Sequence, residues 1–268
     1  MFRFIALPIV GFLIGLIIIT LGGGGGAFYV GILTAFFDIS PAIAASTSLA
    51  TMIPTTAVGA FSHWKAGNIN IKFGLYMIGG GVAGAVVGSF CSDLLPQSIY
   101  TKISGIFLIL ISIQMLVPLI KKHKKQPNDI SGSQPNRLQP TKIIKALAYG
   151  FLGGVMSGLV GLSGGSPIIV GLSVLGCSAM EIVGTSVFVL LGVSMTGFAM
   201  HLGLGNIDWP LVGLLLIGTM SGAFVGPMVL KRINKKVIEK VMGPVMFIMI
   251  ISMGILRRSH TAALFCAR

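Results

Sequence analysis

His63-Trp64-Lys65-Ala66-Gly67-Asn68-Ile69 is restated 138 residues later as His201-Leu202-Gly203-Leu204-Gly205-Asn206-Ile207. At the same spacing Thr47-Ser48 meets Thr185-Ser186, Lys102 meets Lys240 and Gly105 meets Gly243. The ladder Gly80, Gly84, Gly88 meets Gly218, Gly222, Gly226. With one residue of slippage, Gly22 to Gly26 faces Gly161-Leu162-Ser163-Gly164-Gly165. The chain is therefore a duplication, and both copies are strongly apolar. Apolar duplications are a common build of secondary transporters.

Of the 268 residues, 54% are hydrophobic and only 9% charged, where a soluble domain carries about 25% charge. So few charges cannot clothe a water-facing surface, so lipid is the expected solvent. The net charge of +13 does not imply nucleic acid, because the basic residues are clustered. Twelve of the 19 lie between Lys121 and Lys145 or between Lys231 and Lys240. Short basic loops between apolar spans set orientation, and their expected partner is anionic lipid headgroups. Cys91, Cys177 and Cys266 are scattered, with no metal-ligand spacing; neither a metal nor a cofactor is expected. Met1-Phe2-Arg3 and the apolar run behind it mimic a signal peptide but lack a small-x-small cleavage site, and read as a retained first helix.

Five apolar segments recur in each half: Phe4–Leu21, Ala27–Phe37, Ala42–Phe61, Ile71–Phe90 and Ile99–Ile120, then Ile143–Val160, Pro167–Gly176, Ala179–Met200, Pro210–Leu230 and Val237–Leu256. The second of each set is too short to cross upright as a helix. This divides the chain into a first membrane repeat (1–120), a basic, polar linker (121–142), a second repeat (143–256) and a tail (257–268). The linker and the Lys231–Lys240 loop should both be cytoplasmic, so an even number of crossings separates them. The first two segments of each half must then turn back on each other at the glycines, as a full or re-entrant hairpin. Five segments per half also invert one half relative to the other. The Lys65 loop falls inside and its counterpart near Asp208 outside, in accord with local charge. Arg257, Arg258 and Arg268 are expected outside, which this reading does not explain. The expected fold is all-α: a polytopic membrane protein of two inverted-topology repeats with glycine-broken hairpins.

A helix broken inside a membrane exposes N–H and C=O groups, tolerated only where they are buried in protein or line a cavity. The helix that restarts presents free N–H groups and its positive dipole end to an anion, and glycine leaves the approach open. Gly24, Gly25 and Gly26 in one half, with Gly164, Gly165 and Ser166 in the other, are accordingly candidate anion contacts. Thr47, Ser48, Thr185 and Ser186 follow each break, and symmetry is expected to bring them together near the centre. Their hydroxyls can donate to an oxyanion without the cost of a buried charge, although such side chains also bond back to their own helix. His63 and His201 are expected as interfacial loop residues beside the turns at Gly67 and Gly205. The glycine ladders read as helix-packing faces. Pro54 and Pro244 read as kinks. Asp38, Asp93, Asp129, Glu181, Asp208 and Glu239 all map to segment ends or loops, so binding must rest on dipoles and hydroxyls, which suits a small oxyanion. A carrier or channel for another small solute or anion stands as the alternative. An intramembrane enzyme would need a nucleophile and base at depth, and none is evident.

The pattern resembles the TauE/SafE family of sulfite exporters, also called 4-toluene sulfonate uptake permeases. Gly22 to Gly26 followed by Ser46-Thr47-Ser48 carries the resemblance in one half. In the other it rests on Ser157-Gly158, Gly161, Gly164-Gly165-Ser166-Pro167 and Gly184-Thr185-Ser186. It covers about Gly11 to Ile255. It implies a multi-pass protein of the bacterial inner membrane that moves sulfite, sulfonates or related organosulfur anions, most often outward. A homo-oligomer is compatible with it, and no nucleic-acid partner is expected.

Overall fold

The computed structural model describes residues 7–15, 25–37, 39–96, 99, 102–103, 106, 139–203 and 207–230. The expected fifth segment of each repeat lies almost wholly outside these residues. So do the basic stretches 121–138 and 231–240, the tail, Gly22 to Gly24, Gly205 and Pro244.

Residues 7–15 form α1. It is followed by α2 (Gly26–Phe36), α3 (Pro41–Lys65), α4 (Ile71–Leu94), α5 (Pro140–Val160), α6 (Gly165–Val174), α7 (Ala179–Gly203) and α8 (Trp209–Leu230). The duplication is visible in these limits: α3 and α7 match at both ends, and α4 and α8 match at their starts, at the 138-residue spacing. Local chemistry fixes the starts. Proline occupies the first turn of α3 and of α5, where its missing N–H costs nothing. Asn70 caps α4 by accepting from the Phe73 amide at 3.3 Å, and its counterpart Asp208 caps α8 through the Leu211 amide at 3.2 Å. Ser178 and Glu181 make a reciprocal capping box at the head of α7. α3 continues through Pro54 as one helix.

Ile71–Leu94, Pro140–Val160 and Met180–Gly203 are long and apolar enough to cross a membrane. α3 is as long but carries hydroxyls on its buried face. Thr51, Thr55 and Thr56 are buried and donate to carbonyls one turn back. Large apolar side chains such as Leu94, Ile144 and Ile217 instead face outward. An apolar exterior around a hydroxyl-bearing interior is what a lipid solvent selects.

The two cores are built alike. One joins Val30, Phe37 and Met52 of the first copy to Leu211 and Leu215 of α8. The other joins their counterparts Ile168, Leu175 and Leu190 to Phe73 and Met77 of α4. Each core thus takes a fourth helix from the other copy, and the first also takes Leu159 and Val160 at the end of α5. The ladders make this possible. A Cβ at Gly80 would strike the Leu147 carbonyl of α5, and one at the equivalent Gly218 would strike the Pro8 carbonyl of α1. Helix backbones that approach so closely tolerate only hydrogen at the contact.

At the centre α3 packs on α7. A Cβ on Gly59 would lie 3.0 Å from the Val187 side chain, and one on the equivalent Gly197 would lie 3.1 Å from Leu49. Residue numbers rise along one helix as they fall along the other, so these equivalent helices run antiparallel. The midpoint of the two contacts falls at Pro54 and Gly192, themselves equivalent positions.

Candidate functional site

α5 ends at Gly161, whose left-handed φ of 70° lets its amide return to the Ser157 carbonyl at 2.8 Å. The chain passes Leu162, Ser163 and Gly164 and re-enters helix at Gly165. α6 then runs back beside α5. Ile168 lies 3.0 Å from where a Cβ on Gly153 would stand, and Tyr149 crowds Gly171. The expected hairpin at the second glycine break is therefore present. Ser163 has φ 61°, the only positive value on a non-glycine residue among the described ones, and its side chain is fully buried. Such backbone strain is held only where the surroundings impose it.

The first break meets the second here. A Cβ on Gly26 would lie 2.6 Å from the Gly161 carbonyl oxygen and 2.9 Å from the Ser163 nitrogen. Gly25 caps α2 and Gly164 caps α6, neither with a side-chain hydrogen bond, and the first-turn amides of a helix have no partner within it. Ser48 Oγ lies 2.7 Å from the Gly161 carbonyl and 2.8 Å from that of Ala45, and shares its one proton between them. It ties α3 to the break. Gly165 is buried, and Ser166 is half-buried in the first turn of α6. Gly24 lies outside the described residues.

Thr47 and Ser48 stand on this break, but Thr185 and Ser186 do not. Thr47 and Thr185 each lie seven residues from the α3–α7 midpoint, on opposite sides of it. At 1.5 Å per residue, about 20 Å separates their levels. Thr185 Oγ1 instead accepts the Asn70 amide at 2.9 Å, beside the α3–α4 turn, and Ser186 donates to the Val183 carbonyl at 2.9 Å. The expected meeting of the two Thr-Ser pairs is thus replaced by one pair at each level.

His201 also departs from expectation. It lies within α7 and is 1% exposed, whereas His63 is partly exposed near the end of α3. The His201 Nε2 lies 3.1 Å from the Gly158 carbonyl, which also receives Ser89 Oγ at 3.4 Å. Among the described residues, five buried side-chain polar atoms make no hydrogen bond: Thr47 Oγ1, Ser157 Oγ, Ser163 Oγ, Ser194 Oγ and His201 Nδ1. Ser157 and Ser163 flank the turn from α5 into α6, His201 reaches the Gly158 carbonyl just before it, and Thr47 is the sequence neighbour of the Ser48 that bonds Gly161. Ser157 Oγ stands 3.8 Å from the Cβ position of Gly197, one turn before His201. Ser157 and Ser163 flank the break in the sequence; the burial of His201 had no local signal, since its motif is shared with a histidine that stays near the surface.

The sulfite exporter TauE/SafE family model matches residues 7–253. The chain is 34% identical over 217 residues to the probable membrane transporter protein YdhB of Bacillus subtilis, covering 80% of this chain and 85% of that one. It is 27% identical over 267 residues to the probable membrane transporter protein YunE of the same organism, covering 94% and 96%. No solved structure matches the chain. Outward-facing apolar helices, a duplicated core and a match along almost the whole length place this multi-pass protein of the plasma membrane among membrane transporters, in the TauE/SafE sulfite exporter family.

Proposed function

We propose that the chain carries small sulfur oxyanions of the sulfite or sulfonate type across the membrane by alternating access, seating them where α5 turns into α6. The observation that carries this reading is the meeting of two helix N-termini that lack side-chain caps with unpaired hydroxyls, where no Asp, Glu, Lys or Arg is buried among the described residues. Free amides and hydroxyl donors suit an anion's oxygens. In this reading Gly24, Gly25, Gly26, Gly164, Gly165 and Ser166 supply backbone and first-turn contacts. Thr47 and Ser163 supply hydroxyl donors, and Ser48 holds α3 against the break through the Gly161 carbonyl. Thr185 and Ser186 form the corresponding station at the other level. The antiparallel pairing of α3 with α7 supports repeats of opposite topology, the arrangement that lets one fold open to either side. The printed family description favours sulfite as the first ligand to try.

Ser163→Gly tests the site without attacking the fold. The substitution removes an unpaired hydroxyl and relieves a φ of 61°, worth about 1 kcal/mol against a similar loss of unfolded-state restriction. Thermal stability should hold within about 1 kcal/mol of the parent while sulfite binding weakens severalfold. Competition by sulfoacetate, sulfate and acetate in the same assay ranks the anions. Undiminished binding by the variant would remove Ser163 and the α5–α6 corner from the route.

A further inference from the structure

His201 is fully enclosed, yet only one ring nitrogen is engaged. The carbonyl of Gly158 can only accept, so Nε2 carries the proton of that hydrogen bond. Nδ1 then faces the interior either as a bare lone pair or, in the imidazolium, as a second N–H. The lone pair needs a donor, and a fully ionised oxyanion has none. A monoprotonated oxyanion brings its own donor. A fully ionised oxyanion is matched only when the proton sits on Nδ1. Either way one proton accompanies the anion.

Among the described residues no buried charge substitutes for that proton. On or next to the elements around His201, the described charged groups beyond the C-terminal ends of α4 and α7 are Asp93, Lys102 and Asp208, and all are exposed. His63 and Lys65 on α3, Lys72 on α4, Lys142 and Lys145 on α5 and Glu181 on α7 all lie at the opposite ends of their helices. The described parts of α1, α2 and α6 carry no ionisable group except Tyr29. Ser157 precedes the carbonyl that fixes the ring, and its unpaired hydroxyl lies beside Gly197, one turn before His201 on α7.

We propose that His201, with Ser157, makes this site take up an oxyanion together with one proton. The inference rests on the α5–α6 corner being the anion site. Binding of sulfite to the purified full chain, measured calorimetrically at pH 8 in buffers of different ionisation enthalpy, counts the protons. Sulfite is largely the dianion there, and close to one proton should be taken up per anion bound. His201→Gln keeps a donor for the Gly158 carbonyl but cannot hold the second proton. It should lose most of the uptake and bind about tenfold more weakly, as expected for one charge-assisted hydrogen bond. Ser157→Ala should weaken binding while keeping the proton, which guards against a histidine variant that fails to fold. Sulfite that binds without proton uptake, or uptake that survives in His201→Gln, overturns the role of His201 and leaves the anion site standing. Absence of sulfite binding by the parent chain overturns the site itself, and this inference with it.

Discussion

Replacing Gly161 by alanine separates two costs that glycine avoids at the α5–α6 corner. The first is conformational: φ is 70°, and an L-residue with a Cβ pays about 1–2 kcal/mol to sit there. The second is steric. The new methyl would lie 2.6 Å from the Ala45 Cβ and 2.8 Å from the Ala45 carbonyl oxygen, and overpacking of this kind costs about 1–3 kcal/mol. Together Gly161→Ala should destabilise the protein by about 2–5 kcal/mol. Gly67 supplies the control, since its φ is 69° and no atom lies within 4 Å of its Cβ position. Gly67→Ala should show the conformational cost alone, about 1–2 kcal/mol. Equilibrium unfolding of both variants in one detergent gives the difference directly. As about 2–4 °C of melting temperature accompanies each kcal/mol at this size, a thermal scan should rank them clearly. Sulfite binding should fall in Gly161→Ala and hold in Gly67→Ala. Equal losses of stability would mean that α3 does not press on the break, and the packing that defines the site would be refuted.

The ladder contacts predict that Gly80→Leu and Gly218→Leu disrupt α4–α5 and α1–α8 to a similar degree, within about 1 kcal/mol of each other; urea or detergent unfolding of the pair reads this, and a tolerated leucine at either position would break the equivalence. Trp64 ends α3 and Trp209 begins α8, at opposite ends of the bundle. Cysteines placed there should react with a membrane-impermeant reagent from opposite sides, and labelling from one side only would overturn the antiparallel pairing. The Cys177 thiol, in the α6–α7 turn, is pushed up to about 11 by burial and by the Glu181 carboxylate, against an opposing effect of Lys142. Its alkylation requires the thiolate, so in a chain whose other cysteines are replaced by serine the rate should climb about tenfold per pH unit from pH 7.5 to 10; a plateau below pH 9 would contradict this.

The helices were legible because duplication and capping both write themselves locally. The 138-residue spacing reproduces α3 in α7 to the residue, and Asn70 and Asp208 mark the same cap. The glycine break was legible as a hairpin because a short apolar segment cannot cross alone. Three-dimensional neighbours were not. Equivalence says that Thr47 and Thr185 share an environment, but their separation depends on where the α3–α7 midpoint falls, and it falls at Pro54 and Gly192, far from either. His201 and His63 have the same motif and different burial, because the surroundings of His201 come from α5 rather than from its own sequence. The ladders announced close packing without naming partners; that each pairs with the opening helix of the other copy is a property of the assembled chain.

That exchange bears on how the protein moves. If each copy were a self-contained block, opening would be one block tilting on its twin. Instead α4 is built into the second core and α8 into the first, like neighbours who have each lent the other a wall. Among the described residues the packed units are then hybrids, one centred on α1, α2, α3 and α8 and the other on α5, α6, α7 and α4. The two meet along α3 and α7 and at the glycine break, where Gly26 and Ser48 reach Gly161, and the α3–α4 and α7–α8 turns cross between them. A lone copy, produced by cutting the gene at the midpoint, would lack a wall and leave its glycine face open to lipid until its twin arrived.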